Sequence, residues 1–278
     1  EIRTSIKDFT LLAFSSKRAG KKEVEASAHI SLALIFDNQG NMKSAIEHYK
    51  QYHELCISLN DPVGRGLALN CIGVNCMLLA APPSDAGVTA SKLLTTPSSS
   101  SSSSSKSSEQ YVLDAIDAHL KHLEVADVGG SFVAHTNLGL AYAMADNVAS
   151  AAKHHQDALR VSIKLQSIYG QAISVGNLGQ LAILKGDLTT ARTCFEQHVQ
   201  LIQALQDPEA EVNAWKLLAN LSIKENNHSD AILSLEQAKN IASRTGIRSE
   251  LRRIHCLIGE SYAALGFADF AASLAPLA

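Results

Sequence analysis

Histidines are the residues of this chain that most readily suggest chemistry, because imidazole is a common metal ligand and the sequence has 11 of them. His119 and His122 stand three residues apart, on one face of a predicted helix, whereas the adjacent His154 and His155 point about 100° apart. Neither pair has an acidic residue or a cysteine in phase with it, and a structural zinc site needs about four ligands. We therefore predict packing or surface histidines and no metal site.

The residue patterns of covalent and phosphoryl chemistry are also missing from the sequence. The chain has no Gly-x-Ser-x-Gly, no His-Glu-x-x-His and no phosphate-binding glycine loop, and these motifs mark large classes of hydrolases and nucleotide-binding proteins. The run Gly20-Lys21-Lys22 lacks the preceding glycine of a P-loop. We predict that the protein is not an enzyme and takes no cofactor.

The elements that would position functional residues follow a fixed repeat. Small residues recur every forty positions, at Gly139, Gly179, Ala219 and Gly259. An alanine follows each of them after twelve positions, at Ala151, Ala191, Ala231 and Ala271. A fixed period of this length is typical of a solenoid, in which each repeat buries a face against its neighbours. The series predicts a stack of repeats with two helices each.

Residues that begin helices recur in the same phase. The expected N-caps of the second helices are Asn41, Asn147, Asp187 and Asn227. Their side-chain oxygens can accept hydrogen bonds from the free N–H groups of the next helix. Asp61-Pro62 and Asp207-Pro208 have the form of an N-cap followed by proline at the first helical position, and they predict the starts of two first helices.

One insertion interrupts the period. Gly73 follows Ala33 by forty residues, but Gly139 follows Gly73 by sixty-six, so twenty-six extra residues fall at about 81–106. This stretch contains a serine tract, and a polar tract that buries no apolar surface has nothing to offset its ordering entropy. We predict a disordered loop between the two helices of one repeat. It is interpreted either as a tolerated insertion or as a phosphorylatable tether.

The same register sets the other boundaries. Residues 1–20 are predicted to be the second helix of a repeat whose first helix is missing, and residues 21–80 and 107–278 to form helical repeats of one solenoid. After the insertion the register is expected to resume with Tyr111 at the alanine position. Because the last repeat ends without a polar capping helix, we expect the native protein to continue or to contact a partner there.

Charge and cysteine content restrict the function classes. A net charge of −3 argues against a nucleic-acid binder, because such domains usually carry a basic excess. We expect no apolar run of the roughly 18 residues that span a bilayer, and therefore no membrane insertion. The odd number of cysteines without CxxC pairs favours buried free thiols in a reducing compartment. They are Cys56, Cys71, Cys76, Cys194 and Cys256. We expect a cytoplasmic protein.

The repeat motif resembles a known family. Asn137-Leu-Gly139 is followed by Tyr142, Asp146-Asn147, Ala151 and Ala158, and this pattern resembles the tetratricopeptide repeat (TPR). The forty-residue period and the string from Asn177 to Ala191 are similar to the long-helix subclass of the Leu-Gly-Asn-repeat spindle-orientation adaptors and several ciliary TPR proteins. The resemblance covers nearly all of the chain outside the insertion. It implies an all-α fold, a right-handed superhelical solenoid of antiparallel helix pairs, whose first helices line a concave groove.

The resemblance also implies where partners bind. The groove candidates, placed from the small-residue register, are Asn70, Asn137, Asn177, Gln180, Asn213, Lys216, Asn220, Lys224 and Arg253. Amide side chains can both donate and accept hydrogen bonds, which suits a peptide backbone. Asn137 and Asn177 are alternatively interpreted as ties between neighbouring helices. The positive charge of Lys216 and Arg253 would favour an acidic partner segment.

One specific partner class is not expected. Lys216 and Asn220 match the first pair of the carboxylate clamp by which some TPR proteins capture chaperone C-termini, but Leu257 stands where the clamp needs asparagine. The sequence therefore predicts a non-catalytic scaffold that binds a peptide or helix of other proteins, as part of a larger cytoplasmic complex or of a ciliary or other microtubule assembly. The alternative is a ligand- or peptide-sensing regulator, in which binding in the groove changes the pitch of the superhelix.

Overall fold

Helices make up the fold in the two described ranges, residues 2–81 and 107–267 of the computed structural model. The helices are α1 (Ile2–Arg18), α2 (Lys22–Asn38), α3 (Met42–Leu59), α4 (Pro62–Ala80), α5 (Ser108–Val125), α6 (Val128–Met144), α7 (Val148–Lys164), α8 (Ile168–Leu184), α9 (Leu188–Leu205), α10 (Pro208–Lys224), α11 (His228–Thr245) and α12 (Arg248–Ala264). No strand occurs within these ranges, so the all-α prediction is confirmed. The disordered loop predicted at about 81–106 lies outside the described residues except for Ala81.

The chain divides into two compact units, Glu1–Val161 and Ser162–Ala278. In the first unit, α1 to α5 pack on one another in chain order, α5 packs on α6, and α4 also contacts α6. In the second unit, α8 to α12 pack in chain order. Apart from the connection between α4 and α5, short turns join successive helices, and each unit is a stack of antiparallel helix pairs, as predicted. The first helices of the pairs are α2, α4, α6, α8, α10 and α12, and the second helices are α3, α5, α7, α9 and α11.

Left-handed backbone conformations stand at fixed places in the turns. Within the pairs, seven residues after the small position, a positive φ occurs at Gly40, Asp146, Gly186, Asn226 and Gly266. Between the pairs it occurs at Gly20, Asn60, Gln166, Gln206 and Gly246. This conformation ends a helix by turning the chain out of it, and glycine, asparagine and aspartate adopt it at the least steric cost. The glycines with positive φ are thus helix stops, whereas the glycines at the small position lie inside helices.

The predicted helix starts are confirmed. Each predicted cap accepts from the backbone N–H three residues on, as Asn41 does from Ser44, Asn147 from Ser150 and Asn227 from Asp230. Asp187 accepts from the backbone N–H of Thr190 and from its hydroxyl, and these bonds lower the pKa of the carboxyl to about 2. Both proline-containing starts also have an aspartate cap and proline in the first turn.

In three of the pairs, the small residue of the first helix faces a large buried side chain of the second helix. A Cβ added to Gly73, Gly139 or Gly179 would lie 2.3 Å from the His119 ring, 2.3 Å from the His155 ring and 2.7 Å from the Phe195 ring, respectively. These rings are fully buried. His119 and His155 are therefore packing residues, as the sequence predicted.

The packing register after the insertion differs from the prediction. His155 lies four residues after Ala151, but the ring opposite Gly73 is His119, which lies four residues after Ala115. Ala115 is fully buried, whereas Tyr111 is only partly buried. The alanine position of α5 is therefore Ala115 and not Tyr111. One helical turn advances a helix by about 5.4 Å, and the long connection lets α5 slide by that turn while the small residue still meets a ring.

Two further expectations need correction. The helix Pro62–Ala80 is long and apolar enough to cross a membrane by length and composition, contrary to the expectation that no stretch would be. A share of 56% of its most apolar window is buried inside the fold, as is common for the core helix of a repeat. Among the free cysteines, Cys56 and Cys76 are buried as expected, but Cys256 is exposed.

Candidate binding surface of the first helices

The nine predicted groove residues lie on first helices but differ widely in exposure. Asn213, Asn220, Lys224 and Arg253 are exposed on α10 and α12. Asn70, Asn137, Asn177 and Gln180 are half-buried on α4, α6 and α8. Lys216 is only 8% exposed. The four exposed residues of the second unit are therefore the ones most accessible to a partner.

Asn70 and Asn137 join two first helices of the first unit. The Asn137 side-chain amide donates to the Asn70 side-chain oxygen at 2.9 Å, across 67 residues of sequence. This bond connects α4 to α6 and matches the alternative in which Asn137 ties neighbouring helices together. Each amide keeps further hydrogen-bonding capacity, so the pair can still contact a peptide at its open side.

Asn177 is placed differently from Asn137, although both precede a Leu-Gly pair. Its side-chain nitrogen is buried and has no hydrogen-bond partner among the described residues. The structure therefore gives Asn177 no tie of the kind that joins Asn70 to Asn137. Gln180, three residues later on α8, is half-buried.

Lys216 forms an ion pair inside the second unit. Its ammonium group donates to a carboxylate oxygen of Glu250 and lies 3.4 Å from the side-chain oxygen of Asn213. Burial alone would raise the pKa of Glu250, but the hydrogen bond and charge of Lys216, helped by Arg253, hold that pKa below its ordinary value. Lys216 thus links α10 to α12, and its charge is not free for a partner in this structure.

Apolar side chains on the first helices of the first unit were not among the predicted groove residues. Leu34, Leu67 and Val133 lie on α2, α4 and α6 and are 49%, 47% and 37% exposed. Leu67 and Val133 stand six residues before their small positions, in the same register as Asn213 and Arg253. The signal was present in the sequence, since this register position is apolar at Leu67 and Val133 and polar at Asn213 and Arg253.

Four histidines of the first unit form two pairs, and the members of each pair are nineteen residues apart in the sequence. The Nδ1 atoms of His29 and His48 are 3.1 Å apart, and those of His135 and His154 are 3.0 Å apart. Phe36 stacks on His48 and Tyr142 stacks on His154, with the rings 5° from parallel in both cases. Burial is the largest cause that lowers the pKa of all four imidazoles, which favours their neutral form.

One of these pairs has an acidic partner. A carboxylate oxygen of Asp157 and ring nitrogens of His135 and His154 all lie within 4.8 Å of one another. The expectation that His154 has no acidic residue in phase is therefore wrong. The signal that could have revealed the group is the spacing of nineteen residues between the histidines of both pairs, with Asp157 one helical turn after His154.

Comparison with known proteins agrees with this geometry. Residues 26–58 match the family model described as tetratricopeptide repeat. No curated protein sequence matches the chain. Among solved structures, BtubC from P. vanneervenii is similar with a TM-score of 0.65 at 14% identity, over 88% of this chain and 92% of that one.

Two further structures extend the comparison. A signal transduction ATPase from Pyrococcus horikoshii with a tetratricopeptide repeat sensor has a TM-score of 0.67 at 14% identity, and the match covers 98% of this chain but only 39% of the ATPase. The pilF protein of Pseudomonas aeruginosa has a TM-score of 0.56 at 16% identity, over 91% and 90% of the two chains. Residues 26–58 are thus a tetratricopeptide repeat, and the chain has the helix-pair fold of proteins built from such repeats.

Proposed function

We propose that the protein is a non-catalytic scaffold that binds a peptide or helical segment of other proteins along its first helices. The repeat fold supports this function in general, because solenoids present extended surfaces built from successive repeats. The single observation that carries the proposal is the row of exposed polar side chains on the first helices of the second unit. They are Asn213, Asn220, Lys224 and Arg253.

The chemistry of this row favours an acidic, extended ligand. Asn213 and Asn220 offer amides that can pair with a peptide backbone. Lys224 adds positive charge, which attracts a negatively charged segment and raises its association rate. Arg253 also contacts Glu250 at 3.4 Å, but its side chain is 65% exposed, so its charge remains accessible to a partner. Lys216 contributes indirectly, because its pairing with Glu250 connects the two helices that present the row. The acidic segment is thus expected to contact Lys224 and Arg253 and not Lys216.

The first unit offers apolar side chains on its first helices. Leu34, Leu67 and Val133 are spread over three first helices, and an amphipathic helix lays apolar anchors of this kind into a groove. We infer that a partner's helix packs against α2, α4 and α6. The setting that we propose is a cytoplasmic complex or a ciliary or other microtubule assembly, consistent with the resemblance to long-helix TPR adaptors.

A pair of charge-matched variants tests the surface on the second unit. Asn220 and Lys224 lie four residues apart on the first helix α10, and Asn240 and Arg244 lie four residues apart on the second helix α11; all four are exposed. Proteins captured by the wild type are compared by quantitative mass spectrometry with those captured by Asn220→Ala/Lys224→Glu and by Asn240→Ala/Arg244→Glu.

We expect a set of proteins to be lost with the α10 variant and retained with the α11 variant. Both variants change exposed residues, so their helical circular dichroism should match that of the wild type. If the α11 variant loses the same proteins, or neither variant loses any, recognition does not use the first helices of the second unit.

The alternative, a sensing regulator, draws support from the P. horikoshii protein, in which the similar region belongs to a chain with a TPR sensor. In that case a ligand would change the pitch of the helix stack. Small-angle X-ray scattering would then show a smaller radius of gyration when a peptide from one of the captured proteins is added. A rigid scaffold would keep its radius of gyration.

A further inference from the structure

Three side chains on α6 and α7 form a group that the scaffold function does not use. His135 lies on α6, and His154 and Asp157 lie one turn apart on α7, so one face of α7 presents both of its groups to α6. Their ligand atoms lie within 4.8 Å of one another, and the two Nδ1 atoms are 3.0 Å apart. We propose that His135, His154 and Asp157 bind a divalent transition metal ion such as Zn²⁺.

The distances fit such an ion. Zinc bonds imidazole nitrogen at about 2.0–2.1 Å in tetrahedral sites, which places two nitrogen ligands about 3.3 Å apart. The two Nδ1 atoms share a hydrogen bond at 3.0 Å, and a bound ion would replace the shared proton at a slightly larger separation. The Asp157 carboxylate oxygen lies within 4.8 Å of both ring nitrogens, and it must move closer to them to complete the site. Three protein ligands leave the fourth tetrahedral position open for water or for a group of a partner.

The surroundings hold one of the ligands in place. Tyr142 stacks on the His154 ring with 5.3 Å between the centroids and an interplanar angle of 5°, which restricts rotation of the imidazole. The positive charges of two side chains near the site disfavour binding of a metal cation. Lys153 adds positive charge near His154, and Arg160 contacts an Asp157 oxygen at 2.7 Å. The Arg160 side chain is 67% exposed, so this bridge is weak and Asp157 can exchange it for a metal.

The first full repeat contains the same histidine pair without the carboxylate. His29 and His48 match His135 and His154 in spacing, in Nδ1 separation and in the aromatic ring stacked on the second histidine. The residue that corresponds to Asp157 is Gln51, which is a poor ligand for zinc. Lys17 also adds positive charge near His29. The chain therefore contains a built-in comparison, in which one histidine pair has a third ligand and the other does not.

The test uses the whole chain without a histidine tag, after removal of metal by chelation. Zn²⁺ alone is titrated by calorimetry, and Co²⁺ alone is titrated by visible absorption, which reports its coordination. We expect one high-affinity equivalent of each ion. Asp157→Gln should weaken binding at least about ten-fold, as loss of a ligand does more than loss of an outer-shell partner. His154→Gln should abolish binding.

Two variants in the first repeat complete the design. His48→Gln should leave the affinity of the wild type unchanged, and Gln51→Asp should add a second, weaker equivalent. Circular dichroism before metal addition controls for folding, and the gain with Gln51→Asp does not depend on any loss of structure. The proposal is overturned if the wild type binds neither ion, if Asp157→Gln binds as tightly as the wild type, or if His48→Gln removes the binding.

Discussion

The His119 ring occupies an apolar place between α4 and α5. Neither of its ring nitrogens has a hydrogen-bond partner among the described residues. Burial, and to a smaller extent the charge of His122, lowers the pKa of His119 to about 3. Phe195 fills the corresponding place opposite Gly179. A neutral, apolar ring is therefore sufficient at this position, and the imidazole makes the helix pair sensitive to acid.

His119→Phe tests this sensitivity. An unfolded histidine takes up a proton near pH 6.5 and the folded one only near pH 3, so the unfolded state binds more protons between these values and the wild type loses stability as pH falls below 6.5. The loss from this residue is about 2 kcal/mol at pH 5. The His119→Phe variant should not show this part of the loss of stability at acidic pH. The measurement is the free energy of urea unfolding at neutral and acidic pH, with metal chelated. Equal acid losses in both proteins would contradict the assignment.

At the scale of the helix, one small residue sets how closely the two helices of a pair approach each other. In α6 that residue is Gly139, where a Cβ would lie 2.3 Å from the His155 ring. Gly129, near the start of the same helix, has only Asp127 nearby, at 3.7 Å. The two glycines therefore separate the effect of close packing from the effect of helix propensity.

Gly139→Ala should destabilise the protein by about 1–3 kcal/mol, because the buried ring must move or α6 must shift. Gly129→Ala should be neutral or should stabilise by up to about 1 kcal/mol, because alanine favours a helix more than glycine does. The check is the free energy of urea unfolding of the two variants and the wild type. A loss of the same size for Gly129→Ala would show that the close contact is not what matters at Gly139.

At the scale of the whole molecule, the buried apolar residues form several clusters along the chain and not one central core. Each buried cluster in the described ranges lies within one unit. One contains residues of the successive helices α2 to α6 of the first unit, and three lie along α8 to α12 of the second. A solenoid of this kind gains its stability from contacts between neighbouring repeats. Cysteines occur in both units: Cys56 and Cys76 lie in the first, and Cys194 and Cys256 lie in the second.

Pulsed alkylation of the native protein should modify Cys256 first, since it is exposed. Burial raises the pKa of the Cys56 and Cys194 thiols, and the thiolate is the reactive form. We expect both to react more slowly than Cys256, and Cys56 at least about ten-fold more slowly, because it is buried and needs local opening. Mass spectrometry of the alkylated peptides gives the rates, and the urea-denatured protein, in which all five cysteines react alike, is the control. Rapid modification of Cys56 in the native state would show that the first unit is not packed as described.

The local parts of the fold could be predicted from the sequence. The caps Asn41 and Asp187 bond to backbone groups three residues away, and the left-handed stops at Gly40 and Gly186 are equally local. Their positions follow from residue type and spacing alone. The forty-residue period then fixed the order of the helices and the face that each one buries.

Only the tertiary structure decided the contacts between helices. Asn137 meets Asn70 across 67 residues and Lys216 meets Glu250 across 34, and both pairings depend on how far one helix slides along another. The α5 register shows the reason: a slide of one turn exchanges Tyr111 for Ala115 and leaves the buried face apolar, so the pattern of the sequence permits both. The sequence by itself therefore determined the helices and their repeat, and the packing of the helices determined which polar groups are free and which histidines meet.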